Sequence, residues 1–316
     1  MADLADLFEQ FIIEEYAGRL NETPAAYRRK VGLFLRWAGP ETPAAAFNLD
    51  TLNRFLVHLQ TRQSKRRGSQ TVPGPLSPAY IDSVLRAVLR FARWLAKCGH
   101  VAADVTLGFR KPRLPRPNPK AISSETVTAL LRAAQNSGAP LERARNLALV
   151  YVLRDTGGRA RAVANIELGD LQLERGRIRV MEKGAQAQTL HVSKPTAAAI
   201  RRWLKERPAA HPRDDRLFTG RYGWGLSYVG VYQVLQRLAK SAGVTARHNP
   251  HAFRHAFARD LITNGADISQ VSALMEHHSP VVTIAYYARW ADDELHAVHA
   301  RASPVRHLPA LRPKAD

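Results

Sequence analysis

The sequence predicts a mainly α-helical protein in two domains, with a small antiparallel β-sheet confined to the second. Three observations carry this. Apolar residues recur every three to four positions over most of the chain, a basic proline-rich stretch interrupts that pattern after Phe109, and strand-like runs occur only between Asp170 and Val192. At 316 residues and 45% hydrophobic content the chain is long enough to bury two cores.

In the first domain Leu4 to Ala17, Thr23 to Trp37, Leu49 to Leu59 and Ser77 to Lys97 read as helices, forming a bundle of about four. Tyr80, Val84, Val88 and Phe91 share one face of the last, and Ser77-Pro78 combines a cap with a first-turn proline. Basic clusters punctuate the bundle: Arg28, Arg29 and Lys30, then Arg62, Lys65, Arg66 and Arg67 in a Gly/Ser-containing loop, then Arg86, Arg90 and Arg93. Phe109 to Ala121 holds four prolines and five cations with no acid, so an extended, semi-rigid linker is expected there. The expected division is a helical domain over 1–108, a basic linker over 109–120, a second domain over 121–303 and a tail over 304–316.

The second domain opens with a helix from Leu141 to Arg154, a break at Asp155-Thr156-Gly157-Gly158-Arg159 and a short helix from about Ala160 to Ile166. Strand-like runs follow at Asp170 to Leu173, Arg177 to Met181 and Thr189 to Val192, with Lys183-Gly184 in the loop between the last two. Helices then return at Pro195 to Lys205, Tyr228 to Ser241, His251 to Thr263, Ile268 to Met275, Pro280 to Tyr287 and Asp292 to Ala302.

With 47 Lys+Arg against 27 Asp+Glu the formal net charge is +20, so a polyanion is the default partner, with a merely basic soluble protein as the alternative. The basic linker suits a strap along phosphates, and Arg62, Lys65, Arg66, Arg67, Arg110, Lys111, Arg113 and Arg116 are the candidate DNA contacts. One cysteine, Cys98, excludes an internal disulfide framework. No run of 18 apolar residues occurs, and the start at Met1-Ala2-Asp3 lacks signal-peptide character; a cytoplasmic protein with no membrane partner is expected.

The residues that carry chemistry are Arg159, His251, Arg254, His277 and Tyr286. Two guanidinium forks, two imidazoles and a phenol can hold a phosphodiester and attack it, which points to phosphoryl transfer on nucleic acid. Arg159 stands at a helix start after a Thr-Gly-Gly turn, where backbone N–H groups also favour phosphate. His251 and Arg254, three apart on a helix, share one face, and with Arg159 they make a two-arginine clamp on the non-bridging oxygens, a role that metal ions fill elsewhere. A phenol with a pKa of about 10 needs such a positive field to attack at neutral pH. Tyr287 competes with Tyr286, but adjacent helical residues point about 100° apart and one alone can aim at the clamp. Lys183, on a flexible stem, suits a general acid for the departing 5′ oxygen, although exposed hairpin lysines are common. His255 and His278 have no defended role. With one Cys and no ligand-spaced cluster, neither a metal nor a cofactor is expected.

These motifs, in this order, resemble those of the tyrosine site-specific recombinases, or phage-type integrases: Thr156-Gly157-Gly158-Arg159, Lys183-Gly184, His251-Ala252-Phe253-Arg254-His255, and Leu274 to Pro280 leading to Tyr286. The resemblance implies that the helical half is a core-binding domain and the second half a mixed α/β catalytic domain of the tyrosine recombinase type. It selects Tyr286, nine residues after His277, as nucleophile. It implies that His251 assists proton transfer, that His277 donates to a non-bridging oxygen, and that a 3′-phosphotyrosyl intermediate forms without ATP or metal. It further implies double-stranded DNA as substrate and a homo-tetramer on two DNA sites with Asp292 to Ala302 docking on a neighbour; accessory DNA-bending proteins are possible further partners, which the sequence does not identify. Two positions depart from the pattern: Glu276 stands where the family usually has Gly, and Ala162 where an acidic residue is common. A type IB topoisomerase and a DNA-binding relative that has lost catalysis are the rival readings.

Overall fold

Asp3, Asn48 and Ser77 each turn extended chain into helix by accepting a hydrogen bond from a backbone N–H three residues on, from Asp6 at 2.8 Å, Thr51 at 2.9 Å and Tyr80 at 3.2 Å. Each such cap contributes about 1 kcal/mol. The computed structural model describes residues 3–17, 23–39, 41–67, 70–102, 104–112, 121–181, 187–220, 222–275 and 299. The chain divides into two units, Met1–Pro117 and Asn118–Asp316.

In the first unit the capped helices are α1 (Leu4–Tyr16), α3 (Leu49–Thr61) and α4 (Pro78–Lys97), with α2 (Thr23–Ala38) packed on α1 and α4. Their apolar faces close over one core of Phe8, Phe11, Phe34, Phe47, Phe55, Phe91 and Trp94. Tyr80 does not join that face; it is 40% exposed in the first turn of α4, beyond the core. One further correction concerns the basic loop. Ser64–Arg67 (β1) and Gln70–Pro73 (β2) pair as an antiparallel hairpin, Lys65 opposite Val72 and Arg66 opposite Thr71. The β-branched Thr71 and Val72 favour the strand, and Gly68-Ser69 has the composition of a two-residue connection. The run is too short and too polar to show alternation, so it reads as loop.

The second unit is built around α6 (Pro140–Thr156), which packs against α5 (Ser124–Gln135), α8 (Lys194–Glu206) and α10 (Pro250–Thr263). Ala148, Leu149, Val150, Val152 and Leu153 are all fully buried, so α6 is apolar around most of its circumference. Its neighbours complete the element order: α7 (Ala160–Ala164), β3 (Leu171–Gln172), β4 (Arg177–Met181), β5 (Ala187–His191), α9 (Tyr228–Ser241) and α11 (Ile268–Leu274). The sheet is antiparallel in the order β3-β4-β5, with Leu171 opposite Ile178 and Ile178 opposite Leu190. Buried Ile178, Val180 and Leu190 turn its inner face to the core. The first strand is shorter than expected because 3-10 turns at Leu168–Asp170 and Leu173–Arg175 claim its ends, and the third starts earlier, at Ala187. The sequence reading did not single out α5; Ser123 caps it, accepting from Thr126 N–H at 3.2 Å. The helix expected at Pro280 to Tyr287 lies outside the described residues, and of the one expected at Asp292 to Ala302, His299 alone is described, in helical conformation.

Candidate active site

The Thr-Gly-Gly-Arg turn is locked by its own side chains. Thr156 Oγ1 donates to the Val152 carbonyl at 2.7 Å and accepts from Gly158 N–H at 3.0 Å. Gly157 ends α6 in the left-handed region, φ +58, where a Cβ would stand 2.5 Å from Phe257 Cδ1. At Gly158 a Cβ would stand 2.8 Å from Val163 Cγ2. Both glycines are therefore required by close approach, and the turn lies directly against α10. Arg159 caps α7 from extended backbone and is exposed.

On α10, Arg254 comes to the same place from below. It is 5% exposed, and its guanidinium donates to the Gly157 carbonyl at 2.9 Å through Nη1 and to the Met275 carbonyl through Nη2. One buried fork thus holds the end of α6 and the end of α11 at once, and Met275 is the residue before Glu276-His277. Ion pairing between Arg154 and Asp260 adds a second tie between α6 and α10. Asp155 Oδ2 accepts from Ser193 N–H at 2.7 Å and Ser193 Oγ at 2.8 Å, so the chain leaving β5 is fastened beside the turn. Asp155 is two residues from Gly157.

His251 lies in the first turn of α10, after the Asn249 cap, whose side chain accepts from Ala252 N–H at 2.9 Å. The residue is exposed, but its ring packs edge-on against that of His255, with centroids 4.4 Å apart. Loss of solvent at the ring lowers its pKa below the ordinary 6.5, and the charges of Arg254, Arg247 and Arg159 lower it further. His251 is therefore neutral at pH 7, a proton acceptor set in a positive field. The charges of Arg254 and Arg159 both act on His251, so the three side chains share one neighbourhood. Lys183, His277, Tyr286 and Glu276 lie outside the described residues. Ala162 is buried, 3% exposed, where the resemblance leads one to expect an acid.

Sequence reasoning missed the supports: Phe257 over Gly157, Asp260 on Arg154, Asp155 on Ser193, and Arg247 near His251. These are contacts between elements, for which single-chain spacing holds no signal. His255, set aside earlier, is the ring against His251.

Among the candidate DNA contacts, Arg62 Nε donates to the Ser64 carbonyl at 3.0 Å, and Lys65 stands on β1. Both line an open groove of about 1490 Å³ with Arg28, Arg29, Arg36 and His58. Arg110 is exposed, whereas Lys111 Nζ is 2.7 Å from a carboxylate oxygen of Asp82, itself 8% exposed. Arg113, Arg116 and the side chains of Arg66 and Arg67 lie outside the described residues. Among the described residues no three His, Cys, Asp or Glu side chains gather as a metal site, and no helix is long and apolar enough to cross a membrane.

A model of the phage integrase family matches residues 120–294. Tyrosine recombinase XerD of Listeria innocua serovar 6a is 28% identical over 290 residues, which cover 90% of this chain and 94% of that protein. Tyrosine recombinase XerC of Xylella fastidiosa strain M23 is 26% identical over 304 residues, 96% of this chain and 98% of that one. Among solved structures, the Tn1549 transposon integrase in complex with a circular intermediate DNA superposes with a TM-score of 0.71 at 18% identity, covering 94% of this chain and 99% of that one.

Proposed function

The chain belongs to the phage integrase family and is a site-specific recombinase that cuts and rejoins DNA strands, and from that premise we propose that Tyr286 is its nucleophile. The phenolic oxygen attacks a scissile phosphate that Arg159 and Arg254 hold by its non-bridging oxygens. A 3′-phosphotyrosyl bond forms as the bond to the 5′ oxygen breaks. His251, kept neutral, takes the phenolic proton, Lys183 protonates the leaving 5′ oxygen, and His277 donates to the phosphate. A 5′ hydroxyl from a second duplex then reverses the step, so the bond energy is kept and neither ATP nor metal is needed.

The observation that supports this most is the double anchorage of Arg254 on Gly157 and Met275. It ties the turn before Arg159 and Met275, the residue before Glu276-His277, to one guanidinium, which supports the clamp reading. The reading extends to the whole chain. Residues 1–108 are the core-binding domain, 109–120 the linker and 121–303 the catalytic domain. Arg62, Lys65, Arg66, Arg67, Arg110, Lys111, Arg113 and Arg116 grip phosphates. Four copies act on two sites, with accessory DNA-bending proteins, in the cytoplasm and in the service of a mobile element. Relatives over nearly the full length are recombinases, which disfavours a topoisomerase or an inactive relative. The test is a nicked suicide duplex carrying the chain's site. A covalent adduct is expected with the wild type and none with Tyr286→Phe; an undiminished adduct in Tyr286→Phe would remove Tyr286 from the role.

A further inference from the structure

The backbone in the first turn of α10 is fixed from two directions. Asn249 caps it by accepting from Ala252 N–H at 2.9 Å, Pro250 sets the chain just before His251, and the Ala252 carbonyl accepts from Ile122 N–H at 3.2 Å. Ile122 is itself buried in the core of the second unit. What the backbone leaves open is the His251 side chain. In a helix a histidine has about two χ1 wells, and its ring plane turns broadly in each, so an exposed imidazole samples about four arrangements. A group that takes a proton in a reaction must present one ring nitrogen in one direction, and a ring that wanders is wrongly aimed most of the time.

His255 supplies the missing restraint. It lies four residues on, and side chains in a helix lean back towards the N-terminus, so its ring falls on that of His251. The ring centroids are 4.4 Å apart and the planes 70° from each other. No other ring pair among the described residues is as close; the next, Phe34 with Phe47 in the core of the first unit, stands at 4.9 Å. Contact tighter than that of packed core rings selects one χ1 well and one plane for the outer ring. His255 is half-buried, between buried Arg254 and buried Ala256 in the chain, whereas His251 is exposed. The seated ring therefore steadies the exposed one.

We infer that His255 is a positioning residue of the reaction: its ring holds the His251 imidazole in the orientation from which it takes the nucleophile's proton. The inference rests on the reading of His251 as that proton acceptor. His255 acts through His251 by shape alone, so no proton passes through it and a phenyl ring in its place serves as well. A second base, or a contact to DNA, would act beside His251 instead of through it.

The experiment uses the full chain and the nicked suicide duplex, with single-turnover cleavage followed at saturating protein and DNA affinity measured apart. His255→Ala is expected to slow cleavage about tenfold at unchanged affinity, a part of the about 10²- to 10⁴-fold that a positioned base contributes. His255→Phe is expected to restore most of the rate. In a chain that already carries His251→Ala, His255→Ala is expected to cost nothing further. A readout independent of cleavage is the NMR position of the His251 ring protons in the free chain: the displacement caused by the neighbouring ring is expected to vanish in His255→Ala and to persist in His255→Phe. The inference is overturned if His255→Ala cleaves at the wild-type rate, if His255→Phe loses as much as His255→Ala, if the two histidines' effects simply add, if the loss lies in DNA affinity, or if the His251 signals do not move. Should His255→Ala melt early, His255→Phe and the paired substitution decide. A His251→Ala chain that cleaves at the wild-type rate removes the proton-acceptor reading, whereas failure of this inference alone leaves His251→Ala slow.

Discussion

In the proposed mechanism Arg159 and Arg254 do one chemical job from opposite environments, and the difference has a measurable consequence. Arg254 is buried on two backbone carbonyls, so truncation leaves both unsatisfied at a cost of about 1–3 kcal/mol each, whereas Arg159 is exposed. Arg159→Ala is expected to abolish cleavage with little loss of melting temperature, and Arg254→Ala to abolish it with a clear loss. Calorimetry beside a cleavage assay checks this, and equal melting losses would contradict it. DNA affinity is expected to change little in either, since one phosphate contact among many is removed. His251 gives a second test. Its pKa is depressed, so the neutral form persists as pH falls below 6.5, and cleavage at DNA concentrations far below saturation should lose rate only under that value. Because the Arg247 charge is one of the causes, Arg247→Gln should move the midpoint of that acid limb upward towards 6.5. An unmoved limb would show that Arg247 does not act on His251.

At the scale of elements, the junction of α6 with α10 is the part most sensitive to sequence. Gly157→Ala must place a side chain in the left-handed region, about 1–2 kcal/mol, and force it into Phe257, about 1–3 kcal/mol more. Urea unfolding is expected to report a loss of about 2–5 kcal/mol. A loss below about 1 kcal/mol would mean that the turn is looser than described. The linker makes a different claim. Ala at Arg110, Arg113 and Arg116 should each lower the salt slope of DNA binding by up to about 0.9. Lys111→Ala should lower it less, because Asp82 already holds that ammonium. Equal effects at all four positions would show that DNA displaces Asp82. The helices were legible because caps such as Ser77-Pro78 and a spacing of three to four are local signals. The β1–β2 hairpin was not, since its register is set by cross-strand pairs such as Lys65 with Val72 that leave no periodic trace in four residues.

Over the whole molecule, the chain divides into two units with separate cores, Met1–Pro117 and Asn118–Asp316. His251 and Arg254 could be placed on one helix face from their spacing of three, whereas nothing local in the sequence brings Arg159 to them. What was illegible is what holds them: Arg254 reaching back to Gly157 joins positions 97 residues apart. Recombination by this chain depends first on the covalent chemistry. The most direct measurement traps the adduct on a suicide duplex, digests it with protease and nuclease, and reads the modified residue and the linkage by mass spectrometry. The account expects a single phosphotyrosine at Tyr286 joined to a 3′ phosphate; attachment at Tyr287, at any other residue or through a 5′ phosphate would contradict it.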